Sequence, residues 1–204
     1  MTRSAPPALV LASGSTGRLK VLRSAGYDPE VVVSGVDETC DDAPDTAALV
    51  GILAERKAAA VASVRPQALV LGCDSMLDLD GEALGKPASA EQATTLWQRL
   101  SGREGTLYTG HCLIDGATAR TTQAVAATVV RFSTPTPREI AAYVRSGEPL
   151  VVAGGFAIDG LGGSFVESID GDPSNVIGLS LPLLRRLLAG LGIAVTDLWR
   201  DQAG

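Results

Sequence analysis

A chain of 204 residues with 46% hydrophobic, 20% charged and 4% aromatic residues has the make-up of a folded globular protein, not a disordered or fibrous one. Its formal net charge of −6 argues against broad binding to a nucleic-acid polymer, yet leaves room for a small anion held by a few local cations. No apolar run reaches the length of a membrane span and none follows a basic signal-peptide flank, so no membrane contact and a cytoplasmic residence are expected.

Scarce aromatics imply a core built from Val, Leu, Ile and Ala. Cys40, Cys73 and Cys112 are an odd set without C-x-x-C spacing, which speaks for reduced, packed thiols and against a disulfide framework or zinc site. His111 is the only histidine, and without a G-x-S-x-G elbow it reads as structural. Of the 17 basic residues only Lys20, Lys57 and Lys86 are lysines, so each is worth locating.

In chain order, residues 1–7 form a short polar start. Residues 8–12 read as a buried strand running into Ser13-Gly14-Ser15-Thr16-Gly17-Arg18, then into Leu19, Val21, Leu22 and Ala25 at helical spacing, with Gly26 as the stop. A strand, a Gly/Ser turn and a helix start turn free N–H groups, hydroxyls and the positive helix end toward one point, which suits an anion. The Walker A spacing is absent, and Ser15 or Thr16 can equally be a plain N-cap. Arg18 in the first turn opposes the helix dipole, unusual for a purely structural start.

Residues 29–34 predict a second strand, followed by Asp37 and Glu38, which either sit in a solvated turn or hold a divalent metal. Asp41 to Pro44 read as loop, and Asp45 caps a helix over 46–63. Leu49, Leu53, Lys57 and Val61 share its apolar face. A lysine there either snorkels outward or meets an anion in a cleft, and the placement favours the anion.

Leu69 to Ser75 is an unalternating apolar run, a strand buried on both faces that breaks into Asp74. At the carboxyl end of such a strand a carboxylate either turns the chain or does chemistry. Asp80-Gly81 between two short apolar arms signals a hairpin, whose second arm delivers Gly85-Lys86-Pro87. A helix follows over 90–100, then strands over 106–114 and 123–132. The next helix opens at Thr136 with a Pro at its first position and a capping-box Glu139. Residues 153–163 carry too many glycines for regular structure and read as a loop approaching a ligand or another backbone. A short strand over 165–169, a turn at 170–173, a closing helix from Ser180 to about Gly190 and a peripheral tail from Thr196 complete the chain. One continuous α/β unit with a β-rich middle lobe fits best.

The ordered set Leu11 to Arg18, Val36-Asp37-Glu38, Ala54 to Ala58, Cys73-Asp74-Ser75, Gly85-Lys86-Pro87, Leu100 to Arg103, Gly147-Glu148-Pro149, Ala153 to Phe156 and Asn175 to Leu179 resembles the Maf family of nucleoside triphosphate pyrophosphatases. The resemblance runs from Leu9 to about Leu191. It implies one Maf-like domain over 1–204: a two-lobed mixed α/β sheet with flanking helices and a central cleft, like that of the inosine triphosphate pyrophosphatases. The implied activity is metal-dependent hydrolysis of a nucleoside triphosphate to monophosphate and pyrophosphate. The implied proton acceptor is Asp74 and the cleft glutamate Glu38, together holding Mg²⁺ or Mn²⁺. Ser13, Ser15, Arg18, Lys57, Lys86 and Asp159 fall at substrate-contacting positions. Three departures stand out: the usual Ser-Pro-Arg-Arg is Ser15-Thr16-Gly17-Arg18, Asp-Thr is Asp74-Ser75, and a glutamine common in the glycine loop is Asp159. They leave the reaction class standing and bear on base preference. The alternatives are a non-catalytic nucleotide-binding regulator of septum formation, and a pyrophosphatase selective for 7-methyl-GTP. A homodimer is compatible with a small α/β enzyme.

Overall fold

The computed structural model describes residues 7–40 and 42–200. The polar start over 1–6, and Asp41 of the loop before the long helix, lie outside the described residues. Seven strands form one mixed sheet: β1 (Leu9–Leu11), β2 (Glu30–Val31), β3 (Leu69–Leu79), β4 (Glu82–Leu84), β5 (Glu104–Asp115), β6 (Arg120–Phe132) and β7 (Val166–Asp170). Their order is β2-β1-β3-β5-β6-β7, with β4 pairing to β3. β1 is parallel to β2 and β3, and the later pairings are antiparallel. The flanking helices are α1 (Thr16–Ser24), α2 (Thr46–Val64), α3 (Ala90–Leu100), α4 (Pro137–Arg145), α5 (Pro173–Ile177) and α6 (Leu181–Gly190). This is the mixed α/β class expected. Among the described residues no helix is long and apolar enough to cross a membrane.

Local signals set most element ends. Asp45 caps α2 through Ala48 N–H, and the Thr136–Glu139 capping box opens α4. Asp80 and Gly81 both have positive φ, 58° and 84°, the type I′ geometry that turns β3 tightly into β4.

β3 does not end at Asp74, as the sequence suggests, but runs unbroken for 11 residues. β5 pairs with it from Leu69 to Asp78 and supplies a ladder there whatever the side chains are. What ends near Asp74 is the neighbour on the other edge. β1 pairs with β3 only as far as Leu71, and β4 joins only at Leu77. Residues 72–76 therefore keep one edge free of any partner strand, and the cleft opens over that gap.

The second strand is also shorter than its run of valines implies. β1 offers only 3 residues to pair with, so β2 pairs through Glu30 and Val31 and leaves Val33 68% exposed.

Three apolar clusters hold the sheet. Leu11, Leu71 and Cys73 pack with Leu22 of α1 and with Leu184 and Leu188 of α6 on one face. Val70 and Cys112 pack with Ala54, Ala58 and Val61 of α2 on the other. Here α2 sits close to the sheet, because Gly72 and Gly110 present no side chain to it. A Cβ at Gly72 would stand 2.2 Å from the Ala54 carbonyl oxygen, and one at Gly110 2.1 Å from that of Val50. Cys73 and Cys112 lie on opposite faces, and all three cysteines are free, as expected. Burial pushes the Cys73 thiol up to about 12.

The third cluster, at the far end of β3, corrects the all-aliphatic expectation. Trp97 makes edge contacts with Phe132, Tyr143 and Phe165, and Phe156 packs on Phe132. The described part of the tail, 196–200, lies at the surface but is docked: Leu198 packs on the α1/α6 core, and Arg200 N–H bonds to the Gly26 carbonyl at 2.7 Å. Residues 201–204 lie outside the described residues.

Candidate active site

The turn after β1 is built around one guanidinium. Ser15 is the N-cap of α1, accepting the Arg18 N–H at 3.4 Å. Ser13 Oγ accepts from Ser15 N–H at 3.2 Å and from Arg18 Nη1 at 2.9 Å, which leaves the hydroxyl only its own proton to offer a ligand. Arg18, 8% exposed, also donates from Nε to the Gly178 carbonyl at 2.9 Å and from Nη2 to Ser75 Oγ at 3.0 Å. All its partners are neutral. Among the described residues no carboxylate ion-pairs with it, so a buried positive charge lines the cleft without a counter-charge.

Ser75 and Asp74 point to opposite faces of β3, so Asp74 faces α2. Asp74 is 5% exposed, and its Oδ1 accepts from Lys57 Nζ at 2.5 Å. The same ammonium lies 2.6 Å from Glu38 Oε1, on a side chain that is 59% exposed. Lys57 on the apolar face of α2 thus meets an anion, as its spacing implies; the anions it meets are the protein's own. Two carboxylates and one lysine leave the cluster at −1. Asp74 Oδ2 is buried and has no hydrogen-bond partner among the described residues. An orphaned carboxylate oxygen is costly and marks a place where something else belongs.

The opposite flank is made of loops. Gly85-Lys86-Pro87 leaves β4 and carries an exposed Lys86 to the cleft. The glycine stretch forms short 3₁₀ turns at Ala153–Gly155 and Leu161–Phe165, where the sequence suggests irregular loop. Trp97 Nε1 pins the first turn by donating to the Gly155 carbonyl at 2.9 Å. Asp159 Oδ2 pairs with Lys20 Nζ of α1 at 2.7 Å, joining the two flanks. Glu148 also faces the cleft. Burial alone would raise its pKa, but N–H donors from Gly162 and Leu161 and the Tyr143 hydroxyl hold it below the usual carboxylate range.

Ser13, Ser15, Arg18, Glu38, Lys57, Asp74, Lys86 and Asp159 all line this one cleft of about 1050 Å³. Ser75 and Lys20 line it too, beyond the site residues that the sequence marks. For Ser75 the sequence signal is a hydroxyl next to Asp74; for Lys20 it is only the scarcity of lysine. His111 is structural: Nδ1–H donates to the Thr109 carbonyl at 3.0 Å, and Nε2 accepts from Ser180 N–H at 2.9 Å. Burial pushes this imidazole from its ordinary 6.5 down to about 4.

A family model described as Maf-like protein matches residues 8–191. The chain belongs to the Maf-like family. A Streptomyces avermitilis protein is 60% identical over 194 residues, covering 94% of each chain. A Streptomyces coelicolor protein is 61% identical with the same coverage. A Salinispora tropica protein is 52% identical, over 98% of this chain and 90% of its own. Each carries the name nucleoside triphosphate pyrophosphatase. The motifs that carried the resemblance all fall inside the matched span.

Proposed function

We propose that this Maf-like chain hydrolyses a nucleoside triphosphate to the monophosphate and pyrophosphate, by attack of water at the α-phosphorus. One observation carries the reading: a buried carboxylate, Asp74, has one oxygen held by Lys57 and the other unpartnered. It lines the same cleft as a buried arginine that has no acid partner among the described residues. The names of relatives at 52–61% identity support the same chemistry.

Arg18, the Ser13 hydroxyl and the N–H groups at the start of α1 meet phosphate oxygens. They stabilise charge that grows on them as the bond breaks. Lys57 holds Asp74 and Glu38 side by side instead of letting them repel. Asp74 takes a proton from the attacking water; a carboxylate is a modest base, so much of the rate comes from positioning and electrostatics. Lys86 reaches the phosphate chain from the loop flank. Asp159 meets the substrate beside the base, where its charge bears on which base is accepted.

A divalent cation fits this donor set. Among the described residues no three His, Cys, Asp or Glu side chains form a closed cage, and Mg²⁺ prefers one or two carboxylates completed by substrate phosphates. The orphaned Asp74 Oδ2 and the exposed Glu38 would hold it. Held by Asp74 and Glu38, Mg²⁺ or Mn²⁺ would supply Lewis-acid polarisation of the phosphate and a counter-charge for the pyrophosphate group.

The test is pyrophosphate release by the wild-type chain with Mg²⁺ or Mn²⁺, over a panel of standard and modified triphosphates including 7-methyl-GTP. Monophosphate and pyrophosphate are expected in equal amounts from at least one of them, and a chelator should stop the reaction. Binding without release across the whole panel would instead make the protein a nucleotide sensor.

A further inference from the structure

Glu148 takes part in none of these steps, yet it accepts more hydrogen bonds than any other carboxylate lining the cleft. Its Oε1 accepts from the Tyr143 hydroxyl at 2.7 Å and from Gly162 N–H at 2.9 Å. Its Oε2 accepts from Leu161 N–H at 2.9 Å. No cation answers its charge among the described residues, and the nearby Asp159 repels it. The loop is pared to bare backbone where it wraps this carboxylate. A Cβ at Gly160 would stand 2.4 Å from Glu148 Oε2, and one at Gly162 2.3 Å from the Tyr143 hydroxyl oxygen. Ala157, Asp159 and Gly160 of the wrapped loop line the cleft.

Away from Lys86, the part of this flank formed by Glu148 and the loop over 157–163 is a poor berth for phosphates. Its two carboxylates are quieted by different means, Asp159 by Lys20 and Glu148 by backbone N–H groups, while the unbalanced guanidinium lies across the cleft. The nucleoside half of the substrate therefore rests against it.

We propose that Glu148 is a positioning residue. It fixes the loop over 157–163 and so presets the wall, Asp159 included, on which the nucleoside half is bound. The inference rests on the nucleoside triphosphate reading of the cleft. It differs from that reading in placing Glu148 outside the chemistry: the residue acts through the loop it holds.

The experiment compares the wild-type chain with Glu148→Gln and Tyr143→Phe. Glu148→Gln keeps the size but turns an N–H₂ toward at least one backbone N–H, so a hydrogen bond to a charged acceptor becomes a donor-donor conflict. Three readouts are taken: kcat and KM for the best triphosphate, inhibition by inorganic tripolyphosphate, and hydrogen exchange of the peptide over 157–163. For Glu148→Gln, KM should rise about tenfold with kcat within about twofold, tripolyphosphate inhibition should be unchanged, and exchange at Leu161 and Gly162 should quicken about tenfold or more. Tyr143→Phe should shift each readout the same way by less, and carries the test should Glu148→Gln fail to fold.

An unchanged KM, unchanged loop exchange, or tripolyphosphate inhibition that weakens in step with KM each overturn the proposal. A wild-type chain that releases no pyrophosphate from any triphosphate sinks the enzymatic reading instead. The exchange readout then decides by itself whether Glu148 holds the loop.

Discussion

On the strand flank of the cleft, Asp74, Lys57 and Arg18 are 5%, 7% and 8% exposed, each locked by contacts to a sheet or helix that itself packs in a core. On the loop flank, the Asp159 side chain is 31% exposed and held chiefly by Lys20, which reaches across from α1 and is itself 63% exposed. The contrast matches the proposed division of labour. Proton transfer and charge stabilisation fail if groups stray by an ångström, which suits groups on rigid elements. Recognition tolerates and even needs adjustable rims, which suits loops.

The largest test of that contrast is Asp74→Asn. Removing the proposed base should lower kcat by about 10² to 10⁴-fold with nucleotide binding retained. A stopped-assay kcat within about threefold of wild type would strip Asp74 of its role.

Next is the pH dependence of the frame behind the strand flank. His111 takes its proton near 6.5 when unfolded and near 4 when folded. Above about pH 6.5 both states are neutral at this residue and stability is full. As pH falls from 6.5 toward 4 the unfolded state alone binds the proton, so stability should decline by roughly 3 kcal/mol across that window. Denaturant melts at stepped pH would show it, and His111→Gln should flatten the slope there.

Gly72→Ala probes the seat of α2. With the Ala54 carbonyl 2.2 Å from the new methyl, the helix must lift, at a cost of about 1–3 kcal/mol. The part that stays folded should also lose activity, because Lys57 moves away from Asp74; a stable, fully active variant would show that the close seat is not needed.

The smallest expected effect is that of Asp159→Asn. Its exposed ion pair is worth about 0–1 kcal/mol, so the melting temperature should hardly move. The ranking of triphosphates by kcat/KM should shift instead. Equal change for every base would move Asp159 out of base recognition.

Much of this was legible in the chain because the signals are local. The Asp80-Gly81 hairpin, the caps at Asp45 and Thr136, and Lys57 on the apolar face of α2 each depend on a few adjacent residues. What escaped depends on partners far away. The sequence alone ends β3 at Asp74, because an isolated strand reads as ending where polarity begins, whereas β5 sustains it from across the sheet. It overextends β2, because valines report strand preference and not the length of the neighbour they must pair with. The roles of Gly72 and Gly110 show only once α2 is laid over them. Glu148 finds its loop partners 13 and 14 residues on, a spacing no helical or strand period marks.

The stretch of β3 with one open edge has a practical side. One backbone carries Asp74 and Ser75 and, two residues further, the leucines of the aromatic core, so the acid cannot wander without unsettling both ends of the molecule. Anyone seeking a new appetite in this scaffold should leave that strand untouched, spare Glu38, Gly160 and Gly162, and recut the rims at 33–36 and 157–159.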